Sequence, residues 1–158
     1  MANLEEIEKH LKKIGVDYKI IDLGGEVYRV QDVIRVGINA DEIVKTLVIR
    51  SEVKRGLEFK TEFNALAVRG KDRLDFKKVR RIFGQKTDLA KADEVQRVVG
   101  VPIGAVCPIQ IGVPLYFDNK VLDLVNVNLG SGDLTKGLDM SLADLLKAVG
   151  DFKTSDLT

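Results

Sequence analysis

Four stretches of the sequence carry groups able to do chemistry. The run EIVKTLVIR, Glu42 to Arg50, is rich in β-branched residues and reads as a strand with Lys45 inside it. If Ile43, Lys45, Leu47 and Ile49 share one face by the two-residue period, the lysine stands among apolar neighbours. A buried ammonium needs an anionic or strongly polar partner, so Lys45 either snorkels from an edge strand or lines a pocket for a phosphate, carboxylate or carbonyl. The stretch GVPIGAVCP, Gly100 to Pro108, holds two glycines, two prolines and the only cysteine in nine residues. Gly allows positive φ and close approach, and Pro fixes φ and removes a donor. The segment is therefore a shaped loop, either a connector or a backbone surface that offers N–H groups to a ligand. A second glycine turn, Gly130-Ser131-Gly132-Asp133, and the run GLDM, Gly137 to Met140, complete the set.

Several reaction classes are excluded. Cys107 as nucleophile needs a base, and the single histidine, His10, lies off the apolar stripe of the first helix among Lys9, Lys12 and Lys13, where it is expected to be solvated. One cysteine and one histidine make neither a disulfide framework nor a Cys/His metal cluster, so no metal or cofactor is expected. Gly-Ser-Gly lacks the downstream lysine of a phosphate-binding P-loop. What remains is a strand lysine, two glycine turns and an aspartate or two. Such a site can hold a polar substrate and stabilise an oxyanion through N–H donors while water or a substrate hydroxyl attacks.

The elements that position these groups follow from local signals. Asn3 and Glu6 form a capping box for a helix with Leu4, Ile7, Leu11 and Ile14 on one stripe and Gly15 as its stop. Tyr18 to Asp22 reads as a strand, Gln31 to Val36 as a short helix or turn, and Leu57 to Arg69 as a strand antiparallel to the lysine strand through Lys54-Arg55-Gly56. Asp75 caps a helix that buries Phe76, Val79, Ile82 and Phe83 and ends at Gly84, with Lys77, Lys78, Arg80 and Arg81 outward. Lys86 to Ala90 is an extended link, and Asp93 with Gln96 resembles a capping box for the helix closed by Gly100. Val113 to Phe117 and Leu124 to Leu129 read as strands. Ser141 caps a final helix carrying Leu142, Leu145, Leu146 and Val149. Strands and helices mix without regular alternation, so the class is α+β, one domain over 1–158.

Composition sets the bounds. With 158 residues, 45% hydrophobic, the chain can bury a sizeable core. A net charge of +1 argues against a dedicated polyanion binder, but the sign is uneven. Arg69 to Lys86 holds eight Lys or Arg against two Asp, whereas Asp118 to Thr158 holds seven Asp against four Lys. The basic helix is thus a solvated face or a nucleic-acid footprint. No apolar run is long enough to span a membrane, and a cytoplasmic protein without membrane partners is expected.

In order and spacing, IVKTLVIR, GKDRLDFKKV, GVPIGAVCPI, VPLYFD and LGSGD followed by GLDMSLADLL resemble the YbaK/prolyl-tRNA synthetase-associated domain, a family of freestanding and inserted aminoacyl-tRNA editing deacylases, from about Leu11 to Phe152. The resemblance implies a compact α+β fold, a mixed and mostly antiparallel, barrel-like sheet with surrounding helices. It also implies hydrolysis of the ester between a wrong amino acid and the terminal adenosine of a tRNA, commonly the proline tRNA. Carried over by position, it gives catalytic roles to Lys45, Gly104 and Asp139. Substrate-binding roles go to Thr46, Ala105, Val106, Cys107, Pro108, Gly130, Ser131 and Asp133. Thr46 and GLDM match the branch that removes cysteine. Ala105 and Cys107 stand where many members have Gly and Ser, and Asp133 competes with Asp139 for the acidic position. The implied partners are mischarged tRNA, bound through Lys77, Lys78, Arg80 and Arg81, and prolyl-tRNA synthetase, with the chain a monomer or homodimer. The alternative to a trans-acting deacylase is a non-catalytic module that binds tRNA or a nucleotide in the same pocket.

Overall fold

Local signals account for the five helices of the computed structural model, which describes residues 3–158. Helix α1 (Leu4–Ile14) begins where Asn3 accepts the Glu6 N–H at 2.9 Å and ends at Gly15, whose φ of 75° only glycine adopts cheaply. It buries Ile7 and Leu11 completely. His10, expected to be solvated, is half-buried and its Nε2 bonds the Ala148 carbonyl at 2.9 Å, tying α1 to the last helix. The chain continues through β1 (Lys19–Asp22) and α2 (Val30–Arg35), a helix with no buried residue.

Strands β2 (Val44–Arg55) and β3 (Glu58–Arg69) form a twelve-residue hairpin in full antiparallel register, Val44 opposite Arg69 and Arg55 opposite Glu58. The turn is Gly56-Leu57, one residue later than Lys54-Arg55-Gly56, because Gly56 with φ 66° takes the position that needs positive φ. Helix α3 (Phe76–Phe83) is capped by Asp75, which accepts from the N–H groups of Lys77 and Lys78. It buries Val79, but Ile82, placed on the stripe by its spacing, is 42% exposed. The link after it is a true strand, β4 (Thr87–Leu89), paired with β2. Helix α4 (Ala92–Val99) starts two residues earlier than Asp93 and Gln96 suggest, with Glu94 reaching back to the Lys91 N–H.

The remaining strands are β5 (Leu115–Asp118), β6 (Asn126–Gly130), β7 (Lys136–Ser141) and β8 (Lys153–Ser155), with α5 (Leu142–Val149) capped by Ser141. One sheet runs β4-β2-β3-β5-β8, antiparallel in its first three strands and parallel in the last two pairings. The other is antiparallel, β1-β7-β6, and a single parallel bridge, Ile43 with Asn128, joins the two. The fold is α+β with mixed sheets. The larger sheet is covered on both faces: Val44, Val48 and Ala65 join the main core with α1, α4 and α5, and Ile49, Leu66 and Val68 meet Val79 and Leu157. Buried Asp118 holds the chain end by accepting from the Leu157 N–H at 2.8 Å and the Thr158 hydroxyl at 3.3 Å. Among the described residues no helix is long and apolar enough to cross a membrane.

Candidate functional site

Where the two sheets meet, a cavity of about 530 Å³ opens beside the start of β2. Three walls define it. The first is β2 from Val44 to Leu47 with the turn after β3, Gly70 to Arg73. Lys45 shares its strand face with Leu47 and Ile49, and its Nζ donates to the carbonyls of Asp72 and, at 3.4 Å, Gly70. Burial pushes the Lys45 ammonium below the usual lysine value, the Asp72 charge opposes this, and the Arg73 charge adds to it. Thr46, on the other face of the strand, is 7% exposed, and its hydroxyl has no hydrogen-bond partner. An unmatched buried hydroxyl costs on the order of 1–3 kcal/mol.

The second wall is made of the two glycine turns pressed together. A 3-10 turn, Ile103–Ala105, brings Gly104 against the backbone at Val27 and Tyr28, so that a Cβ there would lie 2.8 Å from the Tyr28 Cα. A Cβ on Gly130 would stand 2.4 Å from the Val106 carbonyl oxygen. The Gly132 N–H donates to the Ala105 carbonyl at 2.8 Å, locking the two turns. The third wall is the segment around α2, where Tyr28, Val33, Ile34 and Ile38 roof the cavity. Tyr28 and Ile34 are 55% and 42% exposed.

The structure gathers Lys45, Thr46, Gly104, Val106, Gly130 and Asp133 at this cavity and leaves the other sequence candidates outside its lining. Ala105, Cys107 and Pro108 are buried; Gly104 and Val106 line the cavity, and Cys107 joins Val106 in the main core. Burial pushes the Cys107 thiol up to about 12, against a weaker opposing bond from the Ile109 N–H, so it stays protonated. Ser131 is sealed in the β6–β7 connection, its hydroxyl donating to the Lys136 carbonyl at 2.7 Å. Asp133 accepts from the N–H and hydroxyl of Thr135, which hold its carboxyl below the usual range. Asp139 accepts from Asn126 Nδ2 at 2.7 Å. None of the α3 cations lines the cavity. Lys78 is paired with Asp156 at 2.8 Å and Arg80 with Asp88 at 3.0 Å, and Lys77 and Arg81 are exposed.

Arg29, Lys71 and Arg73 at the rim, Tyr28 in the roof and Asn128 in the wall were not singled out from sequence. The alternation Asn126-Val127-Asn128-Leu129 was the available signal, because it puts two amides on one strand face.

Comparison with known proteins bears on the family and the fold. Proline–tRNA ligases of Caldicellulosiruptor saccharolyticus and Caldicellulosiruptor bescii are 30% and 28% identical over 95 and 96 residues, which is 60% of this chain and 15% of each ligase. The chain therefore matches only about 15% of the length of these curated relatives. A solved structure described as a candidate trans-editing enzyme for prolyl tRNA synthetase superposes with a TM-score of 0.77 at 25% identity, covering 98% of this chain and 96% of that one. A hypothetical protein superposes with a TM-score of 0.80 at 24% identity, covering 96% and 98%. The family model for the aminoacyl-tRNA editing domain matches residues 26–148, the span that contains every wall of the cavity except Leu23, and the chain belongs to that family.

Proposed function

We propose that this chain is a trans-acting aminoacyl-tRNA deacylase that hydrolyses the ester of a mischarged tRNA, proline tRNA carrying cysteine or another small amino acid being the favoured substrate. The observation that carries the reading is the junction of Lys45 with two interlocked backbone turns in one cavity, within an editing domain.

In this mechanism Lys45, anchored by the Gly70 and Asp72 carbonyls, directs its remaining proton at the terminal nucleotide or the ester carbonyl. The Gly104 and Val106 backbone N–H groups stabilise the oxyanion that forms as the carbonyl carbon is attacked, the Ala105 N–H between them being committed to the Pro102 carbonyl at 2.8 Å. Cys107 is protonated and sealed in the core, so the attacking group is water, the adenosine 2′-hydroxyl or, for a cysteinyl ester, the substrate's own thiol. Positioning supplies the rate. Selection rests on size: a methylene is worth only about 1–3 kcal/mol in an apolar pocket, so the cognate amino acid must be rejected by contact with rigid backbone. The Gly104 and Gly130 contacts make the second wall of that kind.

The acceptor end approaches over the roof, where exposed Tyr28 offers a stacking face and Arg29, Lys71 and Arg73 offer phosphate contacts. Lys77 and Arg81 of α3 extend that contact along the tRNA. The test is a deacylation panel of cysteinyl-, alanyl-, seryl- and threonyl-tRNA with purified protein. Release of at least one small amino acid is expected, and Lys45→Ala should abolish it while leaving the fold intact. Unchanged activity in that variant refutes the role of Lys45, and tRNA binding without hydrolysis across the panel favours a binding module.

A further inference from the structure

Just before β2, a 3-10 turn ends at Glu42, whose carboxylate meets two asparagines of β6. Asn126 Nδ2 lies 3.4 Å from each of its oxygens and Asn128 Nδ2 lies 3.5 Å from Oε1. Asn126 Nδ2 also donates to Asp139. The backbone imposes this grouping, because Ile43 bridges Asn128 and Asp139 is the register partner of Asn128 across β6 and β7.

A carboxylate offers only acceptors, so both amides must turn their NH2 groups toward the acids. Asn128 lines the cavity and is 8% exposed, and with its nitrogen committed to Glu42 its free end is Oδ1. Among the described residues no protein donor reaches that oxygen, and neither Glu42 nor Asp139 forms an ion pair. The cavity thus has a cationic corner at Lys45 and a region of acceptors backed by two carboxylates at Asn128. An aminoacyl nucleotide has the complementary polarity, with phosphate at one end and an ammonium group at the other.

We propose that the Asn128 amide oxygen accepts a hydrogen bond from the α-ammonium group of the bound aminoacyl ester, and that Glu42 is the positioning residue that holds the amide in that orientation. The inference rests on the deacylase reading for the identity of its ligand. Its consequence is a requirement for a free amino group. An N-acylated ester such as peptidyl-tRNA has neither the charge nor the donor geometry, so the site spares it.

The test compares two non-hydrolysable nucleosides, 3′-alanylamino-3′-deoxyadenosine and its 3′-propionylamino counterpart, which lacks only the amino group, by calorimetry near neutral pH. Wild-type protein should prefer the alanyl compound by about tenfold or more, as a charge-assisted hydrogen bond requires. Asn128→Leu and Glu42→Gln should each bring the ratio close to one, and Asn128→Asp, which keeps an oxygen toward the cavity, should retain it. Equal affinities in the wild type, failure of both compounds to bind, or an unchanged ratio in Glu42→Gln overturns the inference. Hydrolysis is scored separately: an active enzyme without the preference refutes this inference alone, and the preference without hydrolysis refutes the deacylase reading alone.

Discussion

Replacing Gly130 with alanine tests whether the contact between the two glycine turns sets the shape of the cavity. The added Cβ would sit 2.4 Å from the Val106 carbonyl oxygen, 3.1 Å from its carbon and 3.2 Å from the Ala105 carbonyl carbon. These are backbone atoms, so no rotamer change relieves the overlap. A relaxed C···O contact is about 3.3 Å, which means the turns must part by roughly 0.9 Å. Overpacking of this kind costs about 1–3 kcal/mol, and at about 3 °C per kcal/mol for a domain of this size the melting temperature should fall by about 3 to 9 °C. A displacement near 1 Å at a positioning wall lowers kcat/KM by about a hundredfold. The measurements are a thermal melt and deacylation of the best substrate of the panel, with Gly25→Ala as control. Gly25 has nothing within 4 Å of its Cβ position and no positive φ, so that variant should behave as wild type. If Gly130→Ala keeps both its melting temperature and its kcat/KM, the close approach does not shape the site.

Lys45→Met removes a partly buried ammonium, so its melting temperature should not fall, whereas deacylation should be lost as in Lys45→Ala. Because the Lys45 pKa is depressed in the folded protein, stability should rise slightly as pH climbs from that value toward the unfolded one, while substrate binding declines over the same alkaline window. Combined melts and binding isotherms would show both slopes, and a binding decline only above the ordinary lysine value would contradict the burial argument. Cys107 in native protein should resist iodoacetamide at mildly alkaline pH and react on unfolding, and Cys107→Ser should keep most of its activity per folded molecule; loss of activity with the fold intact would return the thiol to the site. Charge reversal of Lys71 and Arg73 should flatten the salt dependence of tRNA affinity by about 0.9 in log–log slope for each phosphate that is no longer neutralised. An equal or larger effect from reversing Lys77 and Arg81 would make α3 the main footprint.

Much of the frame was legible because its determinants are local. Asn3, Asp75 and Ser141 cap the helices they precede, and the alternation around Lys45 placed it with Leu47 and Ile49. The glycine turns were recognisable as shaped backbone, but the direction of each side chain was not, since a loop without a period has no readable face. Gly104 and Val106 reach the cavity while Ala105 and Cys107 do not, and the backbone packed against the loop comes from residues 27, 28 and 130. The Glu42–Asn126–Asp139 grouping joins groups far apart in sequence through one bridge and one register. β8, three residues long, exists because β5 offers it a parallel edge, and Asp118 tethers the segment after it. Neither pattern leaves a local trace.

The hairpin that carries Lys45 also bears on the order in which the cavity is built. Lys45 and its carbonyl partners are 25 and 27 residues apart, within a single hairpin and the turn after it, so the cationic corner closes one short loop. The wall at Asn128 meets Glu42 across 86 residues. Loop closure makes the first contact cheaper and earlier than the second. Amide exchange from the native state should therefore report two cooperative units, with protection around Asn128 and Gly130 lost in openings that leave β2 and β3 paired.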